Sequence, residues 1–221
     1  MVRVVSVNVS TPRPVEWQGR RIITGIFKQP VAGQVRLRGV NLEGDGQADL
    51  VVHGGPDKAV YVYPSEHYPF WREELTLPHL AWGAFGENLT TEGWLEEDVA
   101  IGDRFRVGSA EVVVTQPRVP CFKLGLRFGR EDMVEKFLDS GRSGFYLRIA
   151  APSELAAGSP FERIAEDPHR VTVAEVNRLY FDRHRPHSEP DVDLLLRAVA
   201  VEALAAGWKE HFLRRLAAVA Q

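Results

Sequence analysis

DRFRVGSAEVVVTQ, residues 103–116, sets two runs of β-branched and aromatic residues around Gly108–Ser109, the pattern of a β-hairpin. The same texture recurs outward along the chain, at 2–10, 21–27, 34–40, 59–63, 98–107, 110–116 and 145–149. Clusters of Gly, Pro, Asn and Asp such as LEGDGQAD (42–49) separate these runs. Many short strands without regularly alternating helices predict a barrel or sandwich and exclude a doubly wound parallel sheet. Helical patches interrupt the strands at about 65–75 and at 130–139, where REDMVEKFLDSG brings Met133, Val134, Phe137 and Leu138 onto one side and stops at Gly141.

After FERIAEDPHR (161–170) the texture changes. VTVAEVNRLYFD (171–182) opens with Thr172 as an N-cap, Glu175 completing a capping box, and Val171 and Val176 as a hydrophobic staple. DVDLLLRAVAVEALAAG (191–207) begins at Asp191 and is predicted to stop at Gly207; WKEHFLRRLAAVA (208–220) carries Trp208, Phe212, Leu213 and Leu216 on one stripe. The chain therefore divides into a mainly β unit, residues 1–165, and a small three-helix unit, residues 166–221.

Composition narrows the function classes. With 44% hydrophobic and 26% charged residues the chain is an ordinary globular protein, and a net charge of −3 provides no global field to attract nucleic acid. A single cysteine permits no internal disulfide and no four-cysteine metal or iron–sulfur site. No uncharged apolar stretch reaches the roughly 20 residues of a membrane span. MVRVVSVNVSTP (1–12) alternates like a strand and lacks a signal-peptide cleavage pattern, so a cytoplasmic protein is expected.

Four stretches carry candidate chemistry. Cys121, in VTQPRVPCFKL (114–124), follows a proline and lies between Arg118 and Lys123. It reads either as a small buried residue or as a thiol whose neighbouring cations favour the thiolate, the form that attacks and that binds metals. Lys28, in TGIFKQPV (24–31), reads as a snorkelling strand-end lysine or as a site cation. ADLVVHGGPDKAVYVYP (48–64) ends an apolar run at His53, and Gly54–Gly55 then offer backbone amides to an anion beside Asp57 and Lys58. WGAFGENLTTEG (82–93) is an ordered turn in which Asn88 could face a ligand; its glycines do not make a dinucleotide fingerprint. His67 and His79 lack paired ligand spacing and read as core or surface residues.

Taken in order, FKQPV, DLVVHGGPDKAVYVY, GAFGENLTTEG, IGDRFRVGSAEVVVTQPRVPCFKL and GRSGFYLRI resemble a MOSC domain, the module shared with molybdenum-cofactor sulfurases. The helical end resembles the three-helix unit of the YiiM-like subfamily, and the likeness runs from about residue 20 to 216. It implies a MOSC-type β-barrel followed by that unit, and molybdopterin as the cofactor. It implies Cys121 as the molybdenum- or sulfur-carrying residue, a soft ligand for a metal already held by a pterin dithiolene. Lys28 and His53 match the two other polar positions around that cysteine, His53 as proton donor. Gly54, Gly55 and Arg118 would bind the cofactor's phosphate or an oxo group, with Asp57 and Asn88 as further carry-overs.

The implied reaction is reduction of N-hydroxylated compounds, such as purine or pyrimidine base analogues, fed by a separate flavoprotein or iron–sulfur protein. No nucleic-acid or membrane partner is expected. The helical unit is expected to cover the substrate entrance, or to dock the electron donor or a second subunit in a homodimer. Two other readings stay open: a carrier that holds molybdopterin or a persulfide without turnover, and a cysteine hydrolase using Cys121 and His53. The hydrolase reading ranks last because Cys121 is read at a strand end rather than opening a helix.

Overall fold

The computed structural model describes residues 2–48, 54–181 and 191–219. Thirteen strands among them are β1 (Arg3–Val9), β2 (Arg13–Trp17), β3 (Arg20–Thr24), β4 (Gln29–Val31), β5 (Val35–Arg38), β6 (Asn41–Leu42), β7 (Val60–Pro64), β8 (Leu89–Glu92), β9 (Arg104–Val107), β10 (Ala110–Pro117), β11 (Phe145–Ala151), β12 (Ser153–Leu155) and β13 (Phe161–Ala165). The helices are α1 (His67–Glu74), α2 (Phe122–Phe128), α3 (Met133–Asp139), α4 (Val173–Phe181), α5 (Val192–Ala200) and α6 (Ala206–Val219).

The fold is mainly β with C-terminal helices. Its principal sheet has eight strands in the order β13-β9-β10-β11-β7-β8-β1-β4. All neighbours are antiparallel except β7 and β8, which run parallel and are therefore joined by a crossover that contains α1. The hairpin at 103–116 forms as read, pairing Ala110 with Val107 and Val113 with Arg104. The sheet curls until Arg3 meets Pro160 through an isolated bridge. It does not run as one continuous closed ladder, so the expected barrel is an open, curled sheet.

Two apolar clusters hold this arrangement. In one, sheet residues such as Val60, Val112 and Val114 meet Val176 of α4, Leu195 of α5 and Phe212 of α6, so the β unit and the helices share a core. The other is aromatic: Tyr63, Trp71, Phe85 and Phe137, with Leu124 and Met133, beneath α1, α2 and α3. Burying each such side chain contributes about 1.5–3 kcal/mol.

Several local expectations are corrected. The run 98–107 is a strand only from Arg104, because the Asp103 carboxylate accepts from the Ala100 and Asp167 amides and turns the preceding chain. Gly207 does not stop a helix. It lies in the first turn of α6, and α5 ends at Val201, whose extended backbone (ψ 115°) lets Val201 and Leu204 bury into the core. Strands β2, β4, β6, β8, β12 and β13 are short or carry weaker apolar patterns and were not anticipated. Nor was α2, whose sequence holds a glycine and follows a proline; it closes on Gly129 in the left-handed region (φ 67°). Cys121 thus occupies the N-cap of α2, which removes the ground for ranking the hydrolase reading last.

Candidate functional site

The site is assembled from chain segments far apart in sequence. Lys28 comes from the irregular segment between β3 and β4, Asp45 from the loop after β6, Asn88 from the entry to β8, Arg118 from the end of β10, and Cys121 from the cap of α2. All five line one cavity of about 120 Å³, together with Lys58, Lys123, Tyr61 and Tyr146.

Its polar wall is a connected network. Lys28 donates to Asp45, and the two side chains are 9% and 3% exposed. Asp45 also accepts from the Ser10 amide at 2.9 Å and from the Asn88 carboxamide at 2.9 Å. The Asn88 oxygen in turn accepts from the Tyr61 amide at 3.0 Å. Burial lowers the Lys28 pKa, opposed by the charge and hydrogen bond of Asp45 and by the charge of Glu87. The loop carrying Asp45 is packed tightly: a Cβ on Gly25 would fall 2.7 Å from the Gly46 carbonyl oxygen.

Arg118 lines the same cavity. Its guanidinium carbon lies 4.7 Å from the centre of the Tyr61 ring, and it donates to the Tyr61 hydroxyl at 3.2 Å and the Phe85 carbonyl at 2.7 Å. Burial opposes its charge, yet Tyr61, Tyr146 and Cys121 around it raise its pKa further above the ordinary arginine range. The cation is therefore fixed in place. Cys121 itself is half-buried, so its thiol borders both the cavity and the exterior.

The other sequence candidates fall elsewhere. His53 lies outside the described residues. Gly54, Gly55 and Asp57 line a neighbouring cavity, walled on its far side by α6. Asp57 is engaged by Arg148, whose Nε donates to it at 2.8 Å. His67 is buried and bonded to Glu96 at 2.8 Å, and His79 is exposed. Sequence reasoning missed Asp45, which sits in a Gly-rich cluster read as a turn, and Tyr61 and Tyr146, read only as strand residues. The period of β7 does place Tyr61 and Tyr63 on one face, but nothing in the spacing singles out Asp45.

Among the described residues no three histidine, cysteine or acidic side chains gather into a metal site. A metal arriving at Cys121 would need to bring further ligands of its own, as a pterin dithiolene does. The surrounding lysines and arginine suit an anionic, phosphate-bearing group. The donor set fits such a cofactor.

Comparison with known proteins places the chain in a family. Residues 49–162 match the family model described as MOSC domain, and residues 171–218 match the one described as YiiM-like, 3-alpha helix domain. The chain is 43% identical to the uncharacterized protein YflK of Bacillus subtilis, over 96% of this chain and 93% of that one. It is 37% identical to Protein YiiM of Escherichia coli, over 87% and 84%. A protein of Gibberella moniliformis named Reductase is 34% identical over 73% of this chain and 29% of its own length. The crystal structure of YiiM from Geobacillus stearothermophilus superposes with a TM-score of 0.79 at 33% identity, covering 98% of this chain and 100% of that one.

Proposed function

Because the chain belongs to the MOSC domain family and carries a YiiM-like three-helix unit, we propose that it is a molybdenum-cofactor-dependent reductase of N-hydroxylated compounds, purine or pyrimidine base analogues among them. The observation that carries the proposal is one cavity holding a half-buried thiol, a buried Lys28–Asp45 pair and a fixed Arg118. The relative named Reductase supports the reaction class.

Cys121 would hold the metal through its thiolate, and Arg118, Lys58 and Lys123 would hold the anionic pterin phosphate. When bound, the cofactor supplies the two-electron chemistry at the N–O bond. The balance is an N-hydroxylamine plus two protons and two electrons, giving the amine and water, with the electrons coming from a separate flavoprotein or iron–sulfur protein. Lys28, its pKa lowered by burial, stabilises negative charge at the reacting end, and His53 delivers a proton.

A thiol capping a helix is also a setting for a nucleophile, which keeps the hydrolase reading as a competitor. Cells that make the cofactor but lack their own route for clearing N-hydroxylated bases separate the two. Wild-type protein should relieve the toxicity of such a base; Cys121→Ser should not, and blocking cofactor synthesis should abolish the wild-type effect. Protection that survives either change would refute the proposal.

A further inference from the structure

The Cys121 cavity is bordered by the chain at the end of β3, Thr24 to Ile26, and by Val119 and Lys123 on either side of the thiol at the start of α2. Strands β2 and β3 form a two-stranded sheet of their own, and this hairpin is fastened to the chain around α2. The Gln18 carboxamide donates to the Glu131 carboxylate. Arg13 of β2 and Arg127 of α2 set their guanidinium carbons 4.9 and 5.2 Å from the centre of the Phe27 ring. Hairpin and helix thus frame one face, with the cavity between them.

Charge is spread unevenly over the molecule. Several arginines elsewhere on the β unit face acidic partners: Arg3 with Glu92, Arg36 with Glu154, Arg104 with Glu111 and Arg148 with Asp57. On the hairpin–α2 face, Arg13, Arg20, Arg21, Lys123 and Arg127 make no ion pair among the described residues. The Arg127 Nε is buried without an acceptor. Burial lowers the Arg127 pKa, and the like charge of Arg13 adds to that against the charges of Glu87 and Tyr68. Glu16, across the ladder from Arg21, and Glu131 are acids on this face, and the cations outnumber them. Positive charge therefore stands beside the thiol in a chain whose net charge is −3. Apolar surface accompanies it: Phe122 and Val119 are 51% and 41% exposed, and Ile23 of β3 is 59% exposed. An exposed aromatic ringed by arginines is the composition of a protein-binding patch.

We propose that this face is the docking surface for a redox protein whose own electron-carrying group is surrounded by acidic side chains. Electron transfer weakens steeply with distance, so a donor must seat its group close to Cys121, and this is the face that borders that cavity. Weak redox encounters bury roughly 600 Å² on each partner, a patch about 28 Å across. Arg21 and Arg20 stand three and four residues before Thr24, about 10–13 Å along a strand, so they fall inside such a footprint. Phe122 anchors its centre, and the arginines steer the approach and fix the orientation. While docked, the donor loses the two electrons that the N–O bond takes up. This deepens the reductase reading and rests on it for the direction in which the electrons move.

A flavodoxin, small, acidic and carrying one flavin, is the probe. Its affinity for the full-length protein is measured by titration calorimetry at low salt. The variants are the double change Arg20→Glu with Arg21→Glu, Phe122→Ala, and Arg36→Glu as a charge reversal elsewhere on the β unit. Wild type and Arg36→Glu should bind alike, and the other two should bind about tenfold more weakly. Added salt should weaken wild type more than the double variant. All the altered side chains are exposed, so unchanged urea midpoints should accompany these losses. Equal binding by every variant, or no binding by wild type, would overturn the inference. So would single-stranded DNA or anionic lipid vesicles that bind more tightly than flavodoxin and are lost in the same variants, the mark of a general polyanion surface. With cofactor-loaded protein, the double variant and Phe122→Ala should keep wild-type turnover when reduced methyl viologen supplies the electrons, yet lose about tenfold in kcat/KM for flavodoxin. Face-dependent flavodoxin binding by protein that reduces nothing with either donor would uphold the surface and strike only the reductase reading.

Discussion

At the residue scale the central pair is Lys28 with Asp45. Each is nearly buried, and each would be an uncompensated charge without the other. Removing one partner of such a pair costs about 3–5 kcal/mol. Asp45→Asn should therefore lower stability to urea by that order at neutral pH while keeping acceptors for the Ser10 amide. The deficit should depend on pH in a definite direction. Burial already holds the native Lys28 pKa below the ordinary lysine value of 10.5, so between the two values the unfolded chain binds more protons and stability rises with pH. Losing Asp45 depresses the native value further and widens that window. The variant's deficit should thus shrink as pH rises and Lys28 loses its proton. Urea midpoints of both proteins from pH 7 to 10 measure this, and a deficit that grows with pH would contradict the assignment.

At the element scale the capping box of α4 is the clearest link from sequence to structure. The Thr172 hydroxyl accepts from the Glu175 amide at 3.1 Å, and the Glu175 carboxylate accepts from the Thr172 amide at 2.8 Å. Val171 and Val176 are both fully buried beside it. Thr172→Ala should cost about 1 kcal/mol, read as a lower urea midpoint with an unchanged slope. The cap of α5 was equally legible, with Asp191 accepting from the Leu194 amide at 3.0 Å. These elements could be read because their signals are local. Those that failed depend on distant partners: β13 is a strand because β9 lies beside it, and α5 ends where Val201 finds the core rather than at a glycine. Likewise Lys28, Arg118 and Cys121 stood out by residue type, but Asp45 acquires meaning only from what the fold places around it.

At the scale of the whole molecule, a curled sheet and three helices share one core and leave two adjoining cavities. One cavity carries the thiol and the cations; the other is bordered by the helical unit. Serine at position 121 would replace a soft ligand with a hydroxyl that stays protonated at neutral pH, while its near-identical size should leave the fold intact. Molybdenum and pterin content per chain, determined on wild type and Cys121→Ser purified from a host that makes the cofactor, bears most directly on the claim that Cys121 holds a molybdenum centre. The account predicts both components in wild type and neither in the variant; equal molybdenum in the two proteins, or none in wild type, would contradict it.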